Sequence, residues 1–364
     1  MEEKGEEMNN QFFSGKRRLL LLAALLSGIL LISCAPSGNA ITPGSAERRE
    51  WTDSLGRTVM IPERVHRIAV TGPVAQTMVF ALAPEMLSGY SVKWSGNAGE
   101  FLPEKFQDLP VFGQITGGSE ILNPEELLQA APDLIIDIGE SGSAIAGELD
   151  SLFEKTGIPV VNVSMTMETA GETFRELGHL LSLEEKAEEY AVYCERIYRK
   201  ARGIAEKAAK KKILYVTETD GIHVIARNSY HSEILDMMAE NAAVIEQPSS
   251  KGTGNEVDME QMLLWDPEVL LFAPGIDVSG TVSDPEWMGL QAVRNGEIYQ
   301  VPSGPCNWMG FPPGIQRILG MMWLSEILYP DQCDFELKEI TQEYYRMFYH
   351  SELSDQQYRK LVGR

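Results

Sequence analysis

The chain has 364 residues and a formal net charge of -22 at pH 7, from 53 Asp and Glu against 31 Lys and Arg. So acidic a surface argues against nucleic acid as a partner and against a broad electrostatic hold on anionic lipid. The length beyond the N-terminal region is enough for two domains.

The first element is a short apolar core. Lys16, Arg17 and Arg18 precede residues 19–32, whose only polar side chain is Ser27. A bilayer span takes about 20 residues, and a basic run before a shorter apolar core is the pattern of a cleaved export signal. The core closes on Leu31, Ile32, Ser33 and Cys34, which resembles the lipobox of bacterial lipoproteins. That resemblance implies that Cys34 becomes the lipidated first residue of the mature chain. Residues 1–33 are therefore expected to be a signal peptide, and the small, polar stretch 34–50 a flexible tether. The lead from Met1 to Met8 is acidic, unlike an ordinary signal, which leaves Met8 open as the start. Residues 1–33 hold four Lys and Arg and four Glu, so the whole net charge belongs to the mature protein.

From residue 51 the chain reads as strand alternating with helix, and it repeats itself. Segment 123–136 (NPEELLQAAPDLII) aligns without gaps on segment 258–271 (DMEQMLLWDPEVLL). Asn123 and Asp258 stand as N-caps with Glu126 and Gln261 at the third helical position, the pattern of a capping box. Pro132 and Pro267 end each short helix by pushing the preceding residue out of the helical region. The apolar runs that follow suit strands buried on both faces. First strands are expected at 67–71 and 212–217, and last strands at 157–163 and 296–301. Such alternation gives an α/β fold of two Rossmann-like lobes with central parallel sheets, over 51–183 and 211–364.

Between the lobes, 184–209 keeps apolar or small residues at 3-4 spacing for six turns, from Ala187 through Tyr190, Cys194 and Ile197 to Ala208. It is expected to be one long spine helix, taken as 184–210, holding the lobes at a nearly fixed separation. Residues 314–329 read as another amphipathic helix. In the helix that follows at 334–349, Tyr344, Tyr345, Phe348 and Tyr349 read as core or lobe-covering residues.

Lipobox, two strand-and-helix lobes and a single spine together resemble the solute-binding proteins of iron-siderophore, heme and cobalamin importers. The opening from Asp53 and Arg57 through Pro62 to Arg67 is similar to the start of that family's domain, and segment 123–133 to its helix-then-strand signature. The resemblance implies an extracytoplasmic, lipid-anchored, monomeric receptor of an ABC importer. It would capture an iron chelate or a corrinoid and hand it to a permease with its ATPase. It also implies no cofactor and no enzymatic role. In that family a glutamate on each lobe pairs with permease arginines, and Glu125 and Glu260 stand at the matching places. Both also fit as solvated first-turn acids favoured by the helix dipole.

Ligands of open α/β sheets sit beyond the carboxyl ends of the strands. The candidate contacts are therefore loop residues: Thr71, Gly72, Trp94, Gly139, Glu218, Arg227 and Tyr230, with Trp308 and Phe311 in a Gly- and Pro-rich segment expected to overhang the cleft. Arg227 suits an anionic group, and the two aromatic rings suit a macrocycle. Cys306 reads as a small buried filler. The cysteines past Cys34 are Cys194, Cys306 and Cys333, with no CxxC pair, so any bridge among them is left open. Five histidines without paired spacing speak against a bare-metal site. No GxSxG, HExxH, Walker loop or strand-borne GxGxxG is present. An oxyanion or metal-ion receptor, or a ligand sensor on the same fold, stands as the alternative, with an enzyme behind both.

Overall fold

Continuous apolar runs become the central strands, because each is covered by helices on both faces. The computed structural model describes residues 47–94, 97–116, 121–139, 142–310 and 312–363. Cys34, the export signal and Phe311 lie outside the described residues.

The first lobe starts with a β-hairpin, β1 (Arg48–Thr52) and β2 (Thr58–Pro62). Then come β3 (Ile68–Val70), α1 (Pro73–Leu82), α2 (Pro124–Gln129), β4 (Leu134–Gly139), α3 (Ser143–Thr156), β5 (Val160–Ser164) and α4 (Ala170–Leu181). Helix α5 (Glu184–Lys207) leads into the second lobe. There β6 (Lys212–Val216), β7 (His223–Val224), α6 (Glu233–Met238), β8 (Glu240–Asn241), β9 (Asn255–Glu256) and α7 (Met259–Trp265) come first. After them run β10 (Val269–Phe272), α8 (Val278–Val282), α9 (Gln291–Asn295) and β11 (Ile298–Gln300). The chain closes with α10 (Arg317–Leu328), α11 (Leu337–Phe348) and α12 (Asp355–Val362).

The first sheet is β3-β4-β5, all parallel. The second carries β6, β10 and β11 in parallel, with β8 also parallel on β6 and with β7 and β9 added antiparallel. The sequence repeat is also a repeat of register. Leu134 pairs with Ile68 as Val269 pairs with Ile213, and Ile135 pairs with Val160 as Leu270 pairs with Ile298. Asp133 accepts the His66 N–H at 2.6 Å, and its counterpart Glu268 accepts the Lys212 N–H at 2.8 Å. Ala131 and Asp266, each just before the proline, both take left-handed backbone at φ 47° and 39°. Side-chain caps form at Asn123 and Asp258, but the reciprocal bond of a full capping box forms at Ser354 and Gln357 in α12.

Helix α5 has 24 residues, about 36 Å at 1.5 Å each. It meets α4 closely, and a Cβ added at Gly178 would lie 2.5 Å from the Ala187 Cβ. Helix α11 lies on α1 and α10, and tyrosines of α5 bond to its backbone. Tyr190 Oη donates to the Met347 carbonyl at 2.6 Å, and the Tyr344 and Phe348 rings stack at 4.3 Å. The expected amphipathic helix at 314–329 departs from its reading. Helix α10 is enclosed by α5, α6 and α11, so even Arg317 and Ser325 are buried.

Candidate functional site

A cavity of about 870 Å³ opens between the lobes. One wall comes from the first lobe, where β4 and β5 end: Gly142, Ala144 and Ile145 at the start of α3, then Ser164 at the end of β5 with Met165 and Thr166 after it. The other wall comes from the second lobe, from Asn228, Ser229 and Tyr230 and from Glu233 and Asp236 of α6. A smaller space of about 270 Å³ adjoins it, sharing Thr166 and Glu233.

The second-lobe wall is shaped by Asp236. Its carboxylate accepts from the Asn228 N–H at 2.8 Å, the Ser232 hydroxyl at 2.6 Å and the Asn241 amide at 3.1 Å. Asn228 is left-handed at φ 64°, a conformation that asparagine tolerates better than most residues. The turn thereby sends Tyr230 toward the first lobe, its Oη 3.9 Å from where a Cβ on Gly139 would stand. Gly139 leaves that space open.

Glu233 joins the walls. One carboxylate oxygen accepts the Met167 N–H of the first lobe at 2.7 Å, and the other meets Arg317 Nη1 at 2.8 Å. Arg317 is fully enclosed, at 0% side-chain exposure, whereas Glu233 keeps 29%. The guanidinium lies 5.6 Å over the Tyr230 ring, and its Nη2 has no partner among the described residues. A cation so placed has given up water for one carboxylate, one aromatic face and long hydrogen bonds to the Gly314 and Tyr230 carbonyls.

Behind the first-lobe wall runs a row of buried polar groups. The Thr71 hydroxyl donates to Asp137, and the Asn162 amide donates to the other Asp137 oxygen at 2.7 Å. Burial pushes the Asp137 carboxyl up, and these two hydrogen bonds oppose the shift. Asp53 accepts from the backbone of Leu55, Arg57 and Asn162 and is paired with the Arg57 guanidinium at 2.6 Å.

The sequence candidates divide. Tyr230 lines the cavity, and Gly139 faces it. Gly72 begins α1 at the carboxyl end of β3, half-buried and with open space where its Cβ would be. Thr71 is buried and committed to Asp137, so it supports the wall from behind. Trp94 packs edge-on against Phe80 and Tyr90, at ring distances of 5.3 and 5.6 Å. Glu218 sits in the turn after β6, its carbonyl accepting the Gly221 N–H. Arg227 spends its guanidinium on the Asn241 carbonyl within its own lobe.

Trp308 is corrected outright, at 0% exposure. Its carbonyl lies against α10, where a Cβ on Gly320 would collide with it, and the enclosed Trp308 ring does not reach the cleft. Cys306 is a buried thiol pushed up to about 12 by burial, and all three described cysteines are free. Glu125 and Glu260 are exposed in the first turns of α2 and α7. Among the described residues no cluster of three or more His, Cys, Asp or Glu could hold a metal, and no helix is long and apolar enough to cross a membrane.

Sequence reasoning missed Glu233 and Arg317. An arginine inside an otherwise apolar helical run was the available signal. A glutamate at a helix start carries none.

Comparison with known proteins fits this architecture. The Fe(3+)-citrate-binding protein YfmC of Bacillus subtilis is 23% identical over 299 residues, covering 79% of this chain and 90% of its own. An ABC transporter solute binding protein from Sulfurospirillum deleyianum superposes with a TM-score of 0.79 at 26% identity, over 87% of this chain and 99% of its own. A periplasmic solute binding protein from Veillonella parvula gives 0.68 at 24%, over 87% and 97%. Residues 99–305, more than half of the chain, match the periplasmic binding protein family. The chain belongs to that family, whose members bind solutes outside the cytoplasm.

Proposed function

We propose that this periplasmic binding protein captures an anionic iron chelate, of the ferric citrate kind, in the inter-lobe cavity and delivers it to an ABC permease. The observation that carries the reading is the charge around the cleft. Among the helices of eight residues or more, α4, α5, α11 and α12 have an acid in the first turn. Helices α1, α3 and α10 have none, and these start at the strand ends or at Arg317. Of the two helices whose starts line the cavity, α3 opens without an acid and α6 opens with Glu233 and Asp236. The two acids on the cavity wall are committed, Glu233 to Arg317 and Asp236 to the turn. The relative that binds ferric citrate supports the same class of ligand.

Cys34 anchors the protein by lipid to the outer face of the membrane. The lobes close on the ligand by a small angle about α5. The closed form docks through Glu125 and Glu260, one per lobe, on arginines of the permease. Ligand shifts the open and closed populations only by its differential affinity for them.

Thermal unfolding of the chain from residue 35 against ferric citrate, heme, cobalamin and molybdate tests the assignment. Ferric citrate at 100 times its dissociation constant should add about 2.7 kcal/mol, with no rise for neutral cobalamin. A rise with cobalamin alone overturns the anionic reading.

A further inference from the structure

The two candidate docking glutamates have matched companions. Leu128 follows Glu125 by three residues on α2, and Leu263 follows Glu260 by three on α7. The same 135-residue offset relates both pairs, because the repeat is ungapped. At i and i+3, acid and leucine lie on one helix face. The residue before each leucine, Leu127 or Met262, is buried in its lobe. The leucines turn outward instead, at 44% and 40% exposure. Of the nine exposed large hydrophobics among the described residues, five stand on or beside these two helices: Leu128 and Ile121 in one lobe, Leu263, Leu264 and Met288 in the other.

A single exposed leucine needs no explanation. The same acid and leucine presented from the same slot of two lobes is a different matter, although Leu263 also rests on Gly289 within its own lobe. A surface repeated in this way fits a partner that is itself repeated, with the same patch on each of two halves.

We infer that Leu128 and Leu263 are contact residues for a two-fold symmetric membrane partner that offers each lobe a basic side chain beside an apolar socket. This rests on the proposed docking through Glu125 and Glu260, and it adds that the leucines supply the buried centre while the acids set the register. The two slots should contribute alike.

The test uses proteoliposomes holding the partner ABC permease with its ATPase, titrated with the full chain while ATP hydrolysis is followed. Leu128→Ser and Leu263→Ser should each raise the concentration for half-maximal stimulation by a similar factor, and the double variant by about tenfold or more. Both side chains are partly exposed and Leu263 rests on Gly289, so a small fall in melting temperature is expected and stimulation is compared at a temperature where every variant is folded. If the double leucine variant matches the parent while E125Q/E260Q weakens stimulation, the leucine contact is overturned and glutamate docking stands. If neither pair changes it, or the parent does not stimulate, both readings fall.

Discussion

Replacing Glu233 with Gln should destabilise the protein more than replacing Arg317 with Met, although both changes break the same ion pair. The difference follows from what each leaves behind. Without Glu233, the guanidinium stays at 0% exposure with its charge uncompensated. An orphaned buried charge of that kind costs about 3–5 kcal/mol. Without Arg317, the remaining carboxylate keeps 29% exposure and the Met167 N–H at 2.7 Å. Methionine fills much of the vacated volume, so the cost should be nearer about 1–3 kcal/mol. The double variant R317M/E233Q removes both charges and should cost no more than E233Q alone, a coupling at least as large as the R317M cost of about 1–3 kcal/mol. Urea unfolding of the chain from residue 35, followed by circular dichroism and by tryptophan fluorescence, measures all three differences. An R317M as costly as E233Q, or an additive double variant, would refute the reasoning.

Other perturbations probe the supports of the site. Gly178→Val should force α4 off α5 and lower stability by about 1–3 kcal/mol, read as a fall in melting temperature, because its Cβ would meet Ala187 at 2.5 Å. Asp53→Asn should cost about 3 kcal/mol in urea unfolding, since the carboxylate pairs with Arg57 and accepts three backbone N–H groups. Asp137→Asn should cost less than about 1 kcal/mol, because a neutral amide can still meet both Thr71 and Asn162. Its pH dependence has the opposite sign to ordinary acid denaturation. The folded carboxyl is raised, so the native state binds the extra proton, and stability rises as pH falls through the folded pKa toward the unfolded value near about 4. The parent should therefore gain relative to D137N between neutral pH and about pH 4, and an equal change in both would contradict that. Finally, burial raises the Cys194 thiol well above its ordinary value and Cys306 to about 12. Neither should be alkylated in the native protein at pH 8, as mass spectrometry would show.

The scaffold was legible because its signals are local. Caps, prolines and apolar runs at 123–136 and 258–271 lie within single repeats, and the sheet register follows them residue for residue. The long stripe of α5 was equally plain, since its partners share one face. The site was not legible, because its chemistry is assembled from distant segments. Glu233 and Arg317 meet only when α6 packs on α10, and Met167 joins them from the other lobe. Trp308 misled for the complementary reason. Gly, Pro and aromatic residues describe a loop well, but whether Trp308 faces a cleft or lies on a helix depends on Gly320, twelve residues downstream in another element. Arg227 likewise has the composition of a ligand contact and the geometry of a brace for β8.

Calorimetric titration of ferric citrate into the chain from residue 35, beside its R317M variant, tests the central claim most directly. Saturable one-site binding by the parent is expected, with a loss of about tenfold or more in affinity for R317M at a temperature where both are folded. No binding by the parent, or equal affinity in the variant, would contradict a cleft wall on which buried Arg317 neutralises Glu233 for an anionic chelate.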